Sequence, residues 1–197
     1  MKPILLEFPE KFETERLELS IYENGDGAEF YQLLQTNFDH LAEEVSDVHE
    51  LKSIVDAEEY VRYKRVAWLS RQRLVPKIVV KSTGEMVGQL WIEPHRNRGI
   101  FEIGYFLGEK FQGNGYITEA VKRISTFLFT ELKAEKLEIH TKATNTKSIG
   151  VASRCGFIQE ARIRKRSRTN AGEPVDLLYF GLLKNEFNNP ASKVCKL

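Results

Sequence analysis

Apolar and polar residues alternate in Leu17-Glu18-Leu19-Ser20-Ile21, the period-two signature of a half-buried strand, and Asn24-Gly25-Asp26-Gly27 ends it as a turn. The period then lengthens. Phe30, Leu33, Leu34 and Phe38 recur at helical spacing between Ala28 and Phe38. A second helical stretch follows Asp56, read as its N-cap, with Ala57, Tyr60, Val61, Lys64 and Trp68 on one side. Lys77 to Lys81 and Glu85 to Ile92 read as strands joined by the hairpin Ser82-Thr83-Gly84, and a turn at Asn97-Arg98-Gly99 leads into a fourth strand, Ile100 to Leu107. Thr118 to Leu132 carries Val121, Ile124, Leu128 and Leu132 on one helical face, with Ala120 and Phe127 beside them. Leu137 to Thr141 is a short fifth strand. Ser148 to Arg154 reads as a short helix closed by Gly156 in the left-handed conformation, and Phe157 to Ile163 and Val175 to Leu183 complete the strands.

The order is strand, two helices, three meander strands, helix, strand, helix, two strands. It predicts an α/β (α+β) single domain on a mixed sheet. No internal repeat, low-complexity block or Pro/Gly/Ser linker divides the 197 residues, a length that fits one domain. Hydrophobic residues make up 42% and charged residues 29%, enough apolar material for a core. Lys plus Arg total 29 against 28 acidic residues, a net charge of +1, which argues against nucleic acid as the partner of the chain as a whole. The longest stretch free of charge, Phe30 to Phe38, is roughly half the ~20 residues that a spanning helix needs, so no membrane partner is expected. Ile4-Leu5-Leu6 is too short for a secretory signal and runs into Glu7 and Glu10. Cys155 and Cys195 make neither a disulfide framework nor a zinc site, so no metal is expected and the simplest compartment is a reducing cytoplasm.

Candidate chemistry concentrates at Gln112-Gly113-Asn114-Gly115-Tyr116-Ile117-Thr118, between a strand and a long amphipathic helix. Glycines let backbone approach a bulky ligand, and the free N–H groups and positive dipole end of the next helix suit a phosphate or pyrophosphate. The same spacing also serves a plain strand-to-helix turn. It matches neither G-x-x-x-x-G-K-[ST] nor G-x-G-x-x-G, since Thr118 stands where the third glycine belongs.

Four segments in order resemble the GNAT superfamily of acyl-CoA N-acyltransferases, in the branch of the RimJ/RimL-type ribosomal-protein N-terminal acetyltransferases. Thr14-Glu15-Arg16-Leu17-Glu18-Leu19 resembles that branch's first strand, Glu102-Ile103-Gly104-Tyr105-Phe106-Leu107 its fourth, Gln112 to Ala120 its pyrophosphate loop and helix, and Asn145-Thr146-Lys147-Ser148 with Gly156-Phe157 its second acyl-CoA motif. The resemblance implies one GNAT-like domain over 14–187, between an N-terminal extension, 1–13, and a C-terminal tail, 188–197. It implies a mostly antiparallel central sheet splayed between strands four and five, flanked by about four helices, with acetyl-CoA as cosubstrate and no metal. It further implies that the backbone of Tyr105, Phe106 and Leu107 pairs with pantetheine beside a bulge at Gly104. Amides of Gln112, Gly113, Asn114, Gly115, Tyr116, Ile117 and Thr118 would hold the pyrophosphate, Asn145 the pantetheine arm, and Ser148 would lie near the sulfur. Ile117 departs from the family's usual Ala or Gly, and Ala152 stands where many members carry a tyrosine acid.

Acyl transfer to an amine needs a neutral amine, a stabilised oxyanion and a protonated or tolerated thiolate. A terminal α-amine, with a pKa near 8, needs roughly 3 kcal/mol less help than a lysine. The resemblance implies a protein N-terminal amine as the acceptor, which a modest base can serve, with a small amine (antibiotic, polyamine or amino acid) or a non-catalytic acyl-CoA- or RNA-binding module as alternatives. Glu102 reads as the general base or as a salt-bridged sheet residue; Glu93 and His95 are further bases or a solvated loop; Ser148 is the acid or a helix N-terminal residue. Arg162, Arg164, Lys165, Arg166 and Arg168 suit ribosomal RNA, an acidic partner protein, or a solvated strand end or loop. Trp68, Trp91, Phe127 and Phe129 read as core, and Cys155 as a small buried residue. A homodimer is left open.

Overall fold

The computed structural model describes residues 8–45, 47–95 and 99–188. The turn at Asn97 and Arg98, Cys195, and nearly all of the expected tail lie outside them. The chain divides into two compact units, Met1–Glu93 with Tyr105–Arg123, and Pro94–Gly104 with Ile124–Leu197. The fold class is the expected one, α/β on a mixed, mostly antiparallel sheet.

In the first unit, β1 (Lys11–Glu13), β2 (Leu17–Ser20), β3 (Lys77–Val80) and β4 (Glu85–Pro94) pair in that order, all antiparallel. The helices α1 (Gly27–Thr36), α2 (Phe38–Leu41), α3 (Asp47–Glu50) and α4 (Ile54–Leu69) contribute to a core with Phe30 at its centre. Its ring stacks on Tyr60 at 5.1 Å and meets Tyr22 edge-on at 5.6 Å. One buried amide lies among these rings: Gln89 accepts from the Tyr22 hydroxyl at 2.6 Å and donates to Tyr60 at 3.1 Å, so its burial is compensated.

Two helix readings are corrected. The N-cap of α4 is Ser53, whose hydroxyl accepts the Asp56 N–H at 3.1 Å, while Asp56 accepts from the Lys52 N–H at 3.0 Å from within the first turn. The Asp56 carboxylate reaches back past the cap to the Lys52 N–H, so an acid at the third helical position reads as a cap from sequence alone. Phe38 leaves the helical face, since α1 stops at Thr36; it is 40% exposed, and Leu41 is buried.

In the second unit the first half of β5 (Ile100–Leu107) runs parallel to β6 (Lys136–Lys142) through Ile100↔Lys136, Phe101↔Leu137 and Glu102↔Glu138. Past Glu102 no further β5–β6 pair is described. β6 also pairs antiparallel with β8 (Pro174–Leu183), and β8 with β7 (Ile158–Arg168). Leu137, Ile139 and Thr141 of β6 are buried, and Lys136, Glu138, His140 and Lys142 share the other face half-buried. Helix α5 (Tyr116–Thr130) begins in the first unit and ends in the second; α6 (Thr146–Cys155) and α7 (Lys184–Asn188) complete the set.

Seven helices are described where about four were expected. The unexpected α2, α3 and α7 have four or five residues, too few to display a period. β7 runs on to Arg168 rather than ending at Ile163, with its basic run exposed and a bulge at Lys165, φ +54°. Trp68, Phe127 and Phe129 are core as expected and Trp91 is partly buried, whereas Cys155 is half-exposed rather than buried because it lies in the last turn of α6. No helix among the described residues is long and apolar enough to cross a membrane.

Candidate active site

Gly113 and Gly115 lead into α5, each with φ +79°. A residue with a Cβ pays roughly 1–2 kcal/mol in that region, so the backbone path requires glycine twice in three residues. A Cβ on Gly113 would meet nothing within 4 Å, and one on Gly115 only Arg16 Nη2, at 3.6 Å. The loop is open, with room for a ligand against its backbone. The first helical bond runs from the Glu119 N–H to the Gly115 carbonyl at 3.0 Å. Earlier amides, those of Tyr116 and Ile117 among them, have no acceptor within the helix and point with its dipole toward any anion placed there. Gln112 is tied by its side chain to the His40 ring, and Asn114 folds back to the Phe111 carbonyl at 3.0 Å. Ile117 is buried at 8% exposed, an anchor beneath the loop. Just upstream Phe106 and Leu107 are buried and Tyr105 is half-buried. A Cβ on Gly88 would lie 2.3 Å from the Phe106 carbonyl, so a glycine in β4 admits that stretch of β5.

The second unit brings Glu102 together with two imidazoles. His140 Nδ1 lies 3.3 Å and His95 Nε2 3.6 Å from Glu102 Oε2. His140 Nε2 lies 3.2 Å from Glu138 Oε2, and its ring rests 3.9 Å from that of Tyr179. Lys136 bridges Glu138 at 2.8 Å and Glu160 at 2.6 Å. The hydrogen bond from His140, then its charge, holds the Glu102 carboxyl below the usual carboxylate range despite partial burial. Burial pushes His140 toward its neutral form, but the bond and field of Glu102, then Glu138, outweigh it and raise its pKa. An imidazole facing carboxylates at both nitrogens is held as a double donor, which is its protonated form. Among the described residues no group of His, Cys, Asp and Glu is arranged to hold a metal.

Glu93 belongs to the first unit, where it pairs with Arg73 at 2.6 Å. Asn145 caps α6, its side-chain oxygen accepting the Ser148 N–H at 3.0 Å. That cap engages the side-chain oxygen of Asn145; its NH2 group is a donor. Ser148 is the third helical residue and not the cap, and Gly156 closes the helix at φ +87° as expected.

The family profile described as Acetyltransferase (GNAT) domain matches residues 16–158. The chain belongs to the GNAT acetyltransferase family. It is 38% identical over 86 residues to Putative ribosomal N-acetyltransferase YdaF of Bacillus subtilis (strain 168), covering 44% of this chain and 46% of YdaF. It is 32% identical over 111 residues to Uncharacterized N-acetyltransferase p20 of Bacillus licheniformis, covering 56% of this chain and 62% of p20. The chain thus spans about half the length of these curated relatives. Its fold resembles that of RimL, ribosomal L7/L12 alpha-N-protein acetyltransferase in complex with coenzyme A, at a TM-score of 0.80 and 20% identity, covering 86% of this chain and 95% of that one.

Two residues of this GNAT domain were not singled out from sequence. His140 sits in the polar alternation of β6, opposite Leu137 and Ile139, and a histidine within a strand carries no local mark of its partners. Arg16 contacts Glu119 and Asn114 across 103 and 98 positions of chain.

Proposed function

We propose that this GNAT domain is an acetyl-CoA-dependent N-acetyltransferase acting on a protein N-terminal α-amine. The observation that carries this is the loop with two left-handed glycines opening α5, in a chain of this family. Its support for the donor is RimL, described with coenzyme A, and for the acceptor the names of YdaF and RimL.

Bound acetyl-CoA supplies the activated acetyl group, and its thiol leaves as the amine nitrogen takes the carbonyl carbon. Amides from Gly113 to Thr118 hold the diphosphate, the Gln112 N–H being already given to the Glu109 carbonyl at 3.1 Å, and the backbone of Tyr105, Phe106 and Leu107 pairs with the pantetheine amides; in the second unit the Asn145 NH2 group is a donor for the ligand. Ser148 donates to the departing sulfur. Glu102 takes the amine proton through water. A carboxylate held below its ordinary range is a weak base, and the proton state of His140 sets how weak: once the imidazole is neutral, Glu102 grows more basic. Turnover is therefore expected to rise with pH through the His140 titration. The test is thiol release from acetyl-CoA against a panel of peptide N-termini and small amines. Release with peptides supports the reading; release with small amines alone replaces its acceptor, and none with either overturns it.

A further inference from the structure

Glu119 is a liability for a diphosphate site: its carboxylate stands in the first turn of α5, four residues after Gly115, where the amides and dipole would otherwise be purely attractive. Arg16 answers that charge. Its Nε donates to Glu119 Oε2 at 2.7 Å, Nη2 approaches the same oxygen at 2.6 Å, and the Arg16 backbone N–H donates to Oε1 at 3.1 Å. With the Thr14 hydroxyl, these contacts overcome burial and hold the Glu119 carboxyl below its usual range. The remaining terminal nitrogen, Nη1, donates to the Asn114 carbonyl at 2.9 Å, and the guanidinium carbon Cζ lies over the Tyr116 ring, 4.8 Å from its centre.

The bond to Asn114 has a geometric consequence. A trans peptide points its C=O and its N–H in opposite directions. Drawing the Asn114 carbonyl toward Arg16 turns the Gly115 N–H to the other side of the loop. The base of the arginine is itself fixed, because its carbonyl accepts the Lys81 N–H at 2.9 Å and Thr14 closes the turn onto Leu17 at 2.8 Å.

We propose that Arg16 is a positioning residue for CoA binding, neutralising Glu119 and orienting the Asn114–Gly115 peptide so that the loop presents donors alone. This rests on the acetyl-CoA reading above. Lysine keeps the charge but lacks the planar fork needed to reach carboxylate and carbonyl together.

The test is calorimetric titration of CoA into wild type, Arg16→Gln, Arg16→Lys, and Arg16→Gln with Glu119→Gln, alongside melting temperatures. Arg16→Gln is expected to weaken CoA by about tenfold or more, on the scale of a lost charge-assisted bond. Arg16→Lys should fall between it and wild type. Removing the Glu119 charge from the Arg16→Gln variant should restore part of the affinity, a recovery that simple loss of structure would not give. A folded Arg16→Gln or Arg16→Lys variant with wild-type affinity, or a double variant no better than Arg16→Gln, overturns the proposal while leaving the acetyl-CoA reading intact. Failure of the wild-type protein to bind CoA overturns both.

Discussion

Replacing Glu102 by Gln keeps the shape of the side chain and its capacity to accept a bond from His140, and removes the charge. Two imidazole nitrogens face the carboxylate, at 3.3 and 3.6 Å, and the side chains of Glu102 and His140 are 30% and 15% exposed. A hydrogen bond between charged groups contributes roughly 1.5–3 kcal/mol when buried. Partial exposure lowers the expectation to about 1–2 kcal/mol. The loss should depend on pH in a defined direction. His140 is raised when folded, so its contribution is complete below the ordinary imidazole value and is lost as pH rises through the folded one. Glu102 and Glu138 are lowered, so their contribution is present above the ordinary carboxylate value and is lost as pH falls through the folded ones. The full cost of Glu102→Gln should therefore appear at about pH 6, below the ordinary imidazole value, and be smaller at about pH 9. For a chain of this length each kcal/mol moves the melting temperature by roughly 2–4 °C. Melting curves of both proteins at the two pH values measure the difference, and NMR titration of the His140 ring should show its pKa reduced in the variant. An equal penalty at both pH values would show that the carboxylate acts by shape alone and would refute the charge argument.

The same Glu102→Gln variant should lose of order 10²-fold in kcat, a usual share for a general base, with CoA affinity retained; an unaltered pH–rate profile would assign the proton to bulk water or another group. Gly115→Glu should abolish CoA binding by strain at φ +79° and by charge against the diphosphate, and unchanged calorimetry would remove the loop from the site. Asn145→Ala should destabilise the protein by about 0.5–2 kcal/mol through its lost cap, read from denaturant midpoints, and raise the KM for acetyl-CoA. Ser148→Ala should lower turnover roughly ten- to hundredfold; normal turnover would return Ser148 to a helical residue only.

What was legible in the sequence was local. Gly113 and Gly115 announced a backbone path that other residues resist, and Gly156 announced a helix end, because a positive φ selects its residue directly. The strand that became β5 was readable from its own composition. Pairings across the chain left no such trace: the Arg16–Glu119 contact and the Glu102–His140 contact depend on which strands and helices become neighbours. Asp56 drew attention away from Ser53 because serine and aspartate are both good caps when read singly.

The most direct test of the central claim is mass spectrometry of a peptide that carries both a free α-amine and a lysine, incubated with the protein and acetyl-CoA while released thiol is measured. The account expects one acetyl group on the α-amine for each CoA released, at a rate that rises with pH through the His140 titration. Acetyl on the lysine alone, or CoA bound with no transfer to any amine, would contradict it.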